Sequence, residues 1–498
     1  MPAQKIKGDG FESDASLDSQ GSSDGKCLGI SLHRHPENGR LLVDNSLLDR
    51  LESVLSRPVK NKKILSRSVG VAIGSFLACV ARVGEGKGQL KLEETEFAVE
   101  KEKGKNGQNS VGKCLFKLLH PIDGKKGRPS NRRGPKKRES THFKHWHKYG
   151  ALTKSFLSAV QIFLMEVDSV QVLLSTLRVV TDLVDLFLHF PKLCKSLIKV
   201  LTHFWSRKTE EIRCIAFVAL CKIARLDSEC FPAVYKNCYT AYVANCKTID
   251  EETLPFIHFM QCSLAELTFV HPSQAYQYAF VYIRQFAIHL RNAMIAKRKD
   301  LIQTVYNWQF VKGLQLWVLV ICEGSKRFRP SSDKSANWFS ELVHPLVEVI
   351  NSLWRLFPST KFFPLRIHSI QMLLDIQRES EVFVPSLAFA VELLDELAQI
   401  DAKRPTAGKG RTREPNTERM LRLSGEQLDD AGVRAHLGQR LFALITDCLN
   451  LLNSREGAAA APIVAPITVK LKRFLKVCAN PEHVRLFSQL KGLFSQSA

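Results

Sequence analysis

Three clusters of reactive side chains invite a chemical reading, and each falls short of a site. Residues 107–114 read GQNSVGKC, close to the phosphate-binding loop GxxxxGK[ST]. That loop needs a Ser or Thr hydroxyl for magnesium and a buried strand in front of it. Cys114 stands where the hydroxyl should be and KEKGKN comes before it, so no nucleotide site is expected. His142, His145 and His147 surround Trp146 in THFKHWHKY. Three imidazoles can hold zinc, but no Cys or acid lies at ligand spacing and the segment runs into a helical pattern. A partly exposed helix start with aromatic and basic character is the expectation. Cys238, Cys246, His258 and Cys262 follow no zinc spacing and read as core residues. There is no GxSxG elbow, no HExxH and no carboxylate pair set off by Gly turns. Acids such as Glu266 and Asp300 lie in helical patterns, where capping or ion pairing is their expected work. The chain is therefore expected to be no enzyme, with no cofactor, no metal and no small-molecule substrate.

Cationic groups carry more information. KKGRPSNRRGPKKR runs from Lys125 to Arg138. Lys125 and Lys126, then Lys136, Lys137 and Arg138, bracket a nine-residue spacer in the manner of a two-part nuclear import signal. Arg128 with Gly127 and Pro129 also matches the hook that slides into a narrow, negative DNA minor groove. Import alone, import with nucleic-acid contact, and an inert solvated linker all remain open at this segment. A second group lies in AYQYAFVYIRQFAIHLRNAMIAKRKD, residues 275–300. Read as one helix, it places Phe280, Ile283, Phe286 or Ala287, Leu290 and Met294 on an apolar face. Arg284, Arg291 and Arg298, seven apart, line up along another face with about 20° of drift per step. Lys297 and Lys299 add charge beside them. A row of guanidinium forks suits phosphates or carboxylates; equally, it could pair with acids of neighbouring helices.

The totals agree with a polyanion-facing surface. The 498 residues hold 71 Lys and Arg against 49 Asp and Glu, a formal +22. Such a balance attracts nucleic acid, ribonucleoprotein or acidic protein. Thirteen cysteines form no CxxC pair. Cys214 and Cys221, seven apart in an apolar helical pattern, read as buried reduced thiols of a reducing compartment. The N-terminus lacks a signal-peptide pattern. The longest small-and-apolar run near it, 69–81, falls short of the roughly 20 residues a spanning helix needs. A soluble intracellular protein with no membrane partner is expected.

Helices must position these groups. Residues 1–26 are too poor in apolar surface to fold and read as a disordered tail. Residues 27–141 read as a poorly ordered basic region that includes a linker and the segment 125–138. From 142 to 400, apolar residues recur at i, i+3, i+4 and i+7 almost without interruption. Thr248 with Glu251 reads as a helix start, whereas Ser340 with Val343 lacks the acid. Pro191, Pro232, Pro255, Pro272, Pro345, Pro364 and Pro385 punctuate the pattern. Their spacing of roughly 15 to 40 residues allows a helix-pair repeat. Residues 401–430 read as a linker, and 431–498 as C-terminal helices packing on the core. The fold class is all-α, expected as an α-solenoid of HEAT- or armadillo-like helix pairs.

Several long segments, in order, resemble the nucleolar complex protein 2 family. They are QAYQYAFVYIRQFAIHLRNAM with VYNWQFVKGLQLWV, FWSRKTEEIRCIAFVAL, TLPFIHFMQCSLAELTFV, VHPLVEVI, FFPLRIHSIQMLLDI, FVPSLAFAVELLDEL and PITVKLKRFLK. The resemblance covers about 142–400 and 463–490. The first 140 residues do not fit the pattern, and 401–462 looks expanded. The resemblance implies a non-catalytic α-solenoid of the nucleus, in nucleolus and nucleoplasm, that assembles and transports large ribosomal subunit precursors. It implies pairing with homologues of nucleolar complex proteins 1 and 3, and contact with pre-60S particles, extending to pre-ribosomal RNA. Animal relatives imply the alternative of a chromatin-associated corepressor that inhibits histone acetylation. Charged contacts would fall to Arg284, Arg291 and Arg298, with Tyr306, Trp308 and Phe310 as core or interface anchors.

Overall fold

The computed structural model describes residues 146–496 apart from 297, 329–337, 381, 404–415 and 457–459; at 146–149, 456 and 495–496 it describes backbone alone. The described residues form helices and connecting turns with no strand among them. The near-match at 107–114, the import candidates Lys125, Lys126, Arg128, Lys136, Lys137 and Arg138, and His142 and His145 lie outside the described residues. So does Lys297. The described residues divide into two compact units, the first ending at Leu226 and the second beginning at Asp227.

In the first unit, α1 (Trp146–Glu166), α2 (Val170–Asp182), a short α3 (Val184–Phe187), α4 (Pro191–Arg207) and α5 (Glu210–Leu226) follow one another closely. α5 packs on both α2 and α4, burying Ile212, Ala216, Ala219, Leu220 and Ile223. Two cations then cap helix ends. Lys222 Nζ donates to the Thr181 carbonyl at the end of α2, 2.7 Å away. The Arg213 guanidinium donates to the carbonyls of Ser206 and Lys208 at the end of α4. These carbonyls have no intrahelical donors, so a cation there satisfies them and complements the helix dipole. Cys214 and Cys221 are not buried: Cys214 is exposed and Cys221 half-exposed. Their i, i+7 line lies beside the buried stripe of α5, not on it.

The second unit holds α6 (Phe231–Asn245), α7 (Thr253–Thr268), α8 (Pro272–Ala296), α9 (Lys299–Val305), α10 (Trp308–Arg327), α11 (Val343–Arg355), α12 (Phe363–Glu379) and α13 (Ser386–Asp401). A one-turn α14 (Gly425–Asp429), α15 (Ala431–Glu456), α16 (Ala461–Val477), α17 (Pro481–Ser488) and α18 (Leu490–Gln496) complete it. α10 and α12 are its centre. α10 packs on α6, α7, α8, α11 and α12, and α12 on α11, α13 and α15. α12 is buried nearly all round, including Arg366, His368, Ser369 and Gln377, and α10 buries a broad apolar face, as helices surrounded by others do. Phe310, Leu314, Trp317 and Ile321 of α10 are buried with Phe363, Ile367, Ile370 and Leu374 of α12.

All seven prolines that punctuate the sequence sit at a helix start: in the first turn of α4, α6, α7, α8, α11 and α12, and at the N-cap of α13. Proline's fixed φ and missing N–H cost nothing there. Thr248 does not cap; α7 begins at Thr253, whose hydroxyl accepts from the Asp250 amide. Ser340 opens a 3-10 turn leading into α11. Part of the expected linker 401–430 is packed structure: Leu423 is buried and its amide donates to the Lys361 carbonyl at 2.7 Å. Pairing also accounts for buried charge. Arg366 pairs with Glu396 and stacks on Trp354 at 4.8 Å, while Arg434 donates to the carbonyls of Leu428 and Lys403.

His368 of α12 is buried, faces the edge of Trp308 and donates from Nε2 to the Met420 carbonyl at 3.2 Å. Burial pushes its pKa down to about 4. In the unfolded chain the ring titrates near 6.5, so between the two values only the unfolded chain takes the proton. Stability is full above about pH 6.5 and falls as pH drops toward about 4, by about 3 kcal/mol from this group. In urea unfolding at about pH 7 and about pH 4.5, H368Q should lose less stability on acidification than the parent. Equal losses in the two proteins would remove His368 as the source.

Candidate functional site

α8 carries the cationic candidates, and its setting differs from the one expected. The helix ends at Ala296 instead of running to residue 300. Arg298 has left the helix to become the N-cap of α9, with extended backbone at φ −83° and ψ 143°. Its guanidinium makes a bidentate pair with Asp300, at 2.8 and 3.2 Å. Lys299 is exposed at the first position of α9. The row of three arginines is thus a pair, Arg284 and Arg291, roughly 10.5 Å apart along the axis. Both are exposed, and no carboxylate of the described residues reaches either within 4.0 Å.

The buried face is also rotated from the expected one. It consists of Ala275, Ala279, Ile283, Leu290 and Ala293. Phe280 is 49% exposed and Met294 45%, so neither belongs to the core. Small residues prevail because α10 and α11 approach α8 closely. The tightest point is Phe286, whose ring lies where a Cβ on Gly313 of α10 would have to be. The ring also meets Phe310 edge-on at 4.9 Å. Tyr276, toward the start of α8, donates to Glu341 at 3.0 Å.

Opposite the buried face run Val281, Arg284, Ile288, Arg291 and Ile295, spaced 3, 4, 3 and 4 residues apart. Those intervals put all five on one line of a helix. Val281, Ile288 and Ile295 are 49%, 38% and 70% exposed. The line therefore alternates a branched aliphatic side chain with a guanidinium, and α8 contains no Asp or Glu. Sequence reading found the arginines but missed the aliphatics between them, although their own seven-residue spacing was visible.

One flank of α8 borders a cleft of about 590 Å³ between α6, α8 and the start of α10. Tyr239 and Tyr282 stack at its floor, centroids 3.8 Å apart. Lys236, Lys247 and His289 give its lining a basic character, and no acid or cysteine of the described residues lines it. Gln309 bridges beneath, donating to the Val243 carbonyl at 2.8 Å. Burial pushes the Tyr239 hydroxyl up and the Lys312 amine down. The expected anchors behave as core: Phe310 is buried, and Tyr306 and Trp308 are half-buried, with Tyr306 donating to the Leu353 carbonyl.

Other reactive groups are structural. Cys238 and Cys246 are core thiols, and burial pushes Cys246 up to about 12. His258 is exposed on α7 with Cys262 one turn on, 3.7 Å away, and the four do not gather. Glu266 pairs with Arg327, which lies 4.3 Å above Phe269; with the Arg298–Asp300 pair, both acids act as ion-pair partners. Asp401, Cys478 and His483 are the one group among the described residues with metal-ligand atoms close together. Their spacing is that of hydrogen bonds. His483 Nδ1 is 2.7 Å from Asp401 Oδ2, shorter than the roughly 3.3 Å kept by two ligands of a tetrahedral zinc. The Cys478 thiol donates to the same oxygen at 3.4 Å, and burial pushes it up to about 11. The cluster ties the end of α13 to α17, with the His483 ring seated against Gly438 of α15.

The sequence profile of the Noc2p family matches residues 229–497, almost the whole of the second unit. Similar proteins include a "Nucleolar complex protein 2 homolog" of Caenorhabditis elegans, 35% identical over 90% of this chain and 61% of that one. Its counterpart in Caenorhabditis briggsae is 34% identical over 90% and 60%. "Nucleolar complex protein 2" of Drosophila melanogaster is 30% identical over 87% and 54%. The chain thus spans somewhat over half the length of these relatives. An alignment covering 90% of the chain leaves out a tenth of it, fewer residues than the first 140. The expectation that this region lies outside the resemblance is therefore corrected.

The Phe286–Gly313 contact sets the pose of α8 and can be tested alone. G313A should lose about 1–3 kcal/mol in denaturant unfolding, because the Phe286 ring, packed edge-on against Phe310, must move. In an F286A background the same glycine change should be close to neutral or stabilising, since Ala favours helix. Additive losses in the double variant would show that the Phe286 ring does not fill the space above residue 313.

Proposed function

The chain belongs to the Noc2p family, and from that premise we propose that it is a non-enzymatic helical scaffold of the nucleolus and nucleoplasm. In this reading it assembles and transports precursors of the large ribosomal subunit. Its helices form an α-solenoid of stacked pairs, whose extended outer surfaces hold partners while the interior performs no reaction. The partners are homologues of nucleolar complex proteins 1 and 3, and through them pre-60S particles and their RNA. The basic segment 125–138 serves nuclear import.

The observation that carries the reading is the outer line of α8, where Arg284 and Arg291 stand without a carboxylate of the described residues in reach. Exposed charge of this kind contributes little to folding but is well suited to anionic partners. No helix among the described residues is long and apolar enough to cross a membrane.

Affinity purification of the tagged chain, with mass spectrometry of proteins and sequencing of RNA, tests this reading. Large-subunit precursors and the paired nucleolar proteins are expected. In R284E/R291E their recovery should fall several-fold at equal expression, consistent with loss of two charge-assisted contacts. Recovery of histones and chromatin proteins without ribosomal precursors would overturn the scaffold reading.

A further inference from the structure

We propose that the outer face of α8 is the docking surface for an acidic amphipathic helix supplied by another protein. The inference rests on the scaffold reading above and deepens it by naming the surface and the chemistry of its occupant. The docked helix lies along Val281, Ile288 and Ile295 with apolar residues, and its carboxylates meet Arg284 and Arg291.

Scattered exposed aliphatics are ordinary on protein surfaces. The three here are not scattered. They recur at seven-residue steps on the side of α8 opposite its packed face, and Ile295 is 70% exposed. Residues at 3–4 spacing form the seam by which one helix receives another, with branched aliphatics at alternate positions. The intervening seam positions hold arginines, whose planar forks bind carboxylates bidentately. Phe280, 49% exposed, broadens the apolar strip on one edge.

Charge selects the occupant. A second copy of α8 would bring arginines against arginines with no acid on either helix, and like charges along a seam repel. Single-stranded nucleic acid would use the arginines, but it gains its remaining affinity by stacking bases on aromatic faces, and the line is aliphatic. An acidic amphipathic helix satisfies both kinds of residue at once. The face is also preorganised: Phe286 seated on Gly313 and the Tyr276–Glu341 hydrogen bond hold α8 from behind, which lowers the ordering cost of binding.

The test uses the full chain and two labelled synthetic peptides, read by fluorescence anisotropy. One has leucine at its a and d positions and glutamate at e and g; the other has lysine in place of the glutamates. The parent chain should bind the glutamate peptide and not the lysine peptide. I288D, and separately R284E/R291E, should each weaken binding by about tenfold or more. R284E/R291E should gain binding to the lysine peptide, a rescue that mere loss of structure would not produce. Circular dichroism of both variants should match the parent, since all three positions are exposed.

The inference falls if the two peptides bind the parent alike, if I288D binds as tightly as the parent, or if single-stranded RNA displaces the peptide. Failure here is distinguishable from failure of the scaffold reading. A chain that ignores the glutamate peptide yet still recovers ribosomal precursors refutes the docking surface alone. A chain that binds the peptide as described but recovers no such particles refutes the scaffold reading alone.

Discussion

The second unit depends on the enclosure of α10. Its broad apolar face has nothing to offer water, so neighbours must cover that face, while Gln315, Glu323 and Lys326 stay partly exposed along the remaining side. Trp317, Leu314 and Ile321 are sealed by that covering, and α6, α7, α8, α11 and α12 take their places from it. Close packing rather than general oiliness decides how near each can come. For α8 the approach is set by three alanines and by the Phe286 ring filling the space above Gly313. Because the inner contact of α8 uses small residues, several of its larger aliphatics are left on the outside. The outward line of Val281, Ile288 and Ile295 is thus tied to the choice of side chains that lets α8 lie close to the centre.

Electrostatics divides the molecule in the same way. The buried arginines among the described residues are matched one by one: Arg213 by the carbonyls of Ser206 and Lys208, Arg366 by Glu396, and Arg434 by the carbonyls of Leu428 and Lys403. A buried charge without partners would cost several kcal/mol, so such matching is a condition of folding. Among the described residues the remaining positive charge therefore falls largely on surfaces. There it raises local polyanion concentration and is screened within about 8 Å at physiological salt. Arg284 and Arg291 belong to that outer population, while Arg298 has already given its fork to Asp300.

Much of the helical pattern was legible in the sequence because its determinants are local. The seven punctuating prolines mark breaks, six in a first turn and Pro385 at an N-cap, where a missing N–H costs nothing. Apolar recurrence marked the helical stretches α1 to α13, the end of α15, and α16 to α18. The errors in reading buried faces share one cause. Periodicity weights large side chains, whereas a close helix–helix contact is made by small ones. Phe280 and Met294 were therefore assigned to the buried face of α8, and Ala275, Ala279 and Ala293 overlooked. Cys214 went astray by the same logic, its apolar character outweighing its angular position on α5. Arg298 was misplaced because nothing in the residues 296–300 announces the break that turns it into an N-cap. The Asp401–Cys478–His483 cluster joins residues up to 82 apart in sequence, which no local pattern can pair.

The same asymmetry explains why the site was only half readable. Arginine at seven-residue steps is conspicuous because its charge must be accounted for; isoleucine and valine at the same steps look like core. Only burial distinguishes an aliphatic that holds a helix in place from one that awaits a partner, and burial is a property of the neighbours. On α8 the neighbours take the alanines and leave the branched residues out. A helix needs one apolar stripe to stay attached to its own domain. α8 has that stripe in Ile283, Leu290 and the alanines, and a second one, interleaved with arginine, facing away from it. The second stripe adds nothing to the packing of this unit, so its regularity is better explained by a partner than by the fold.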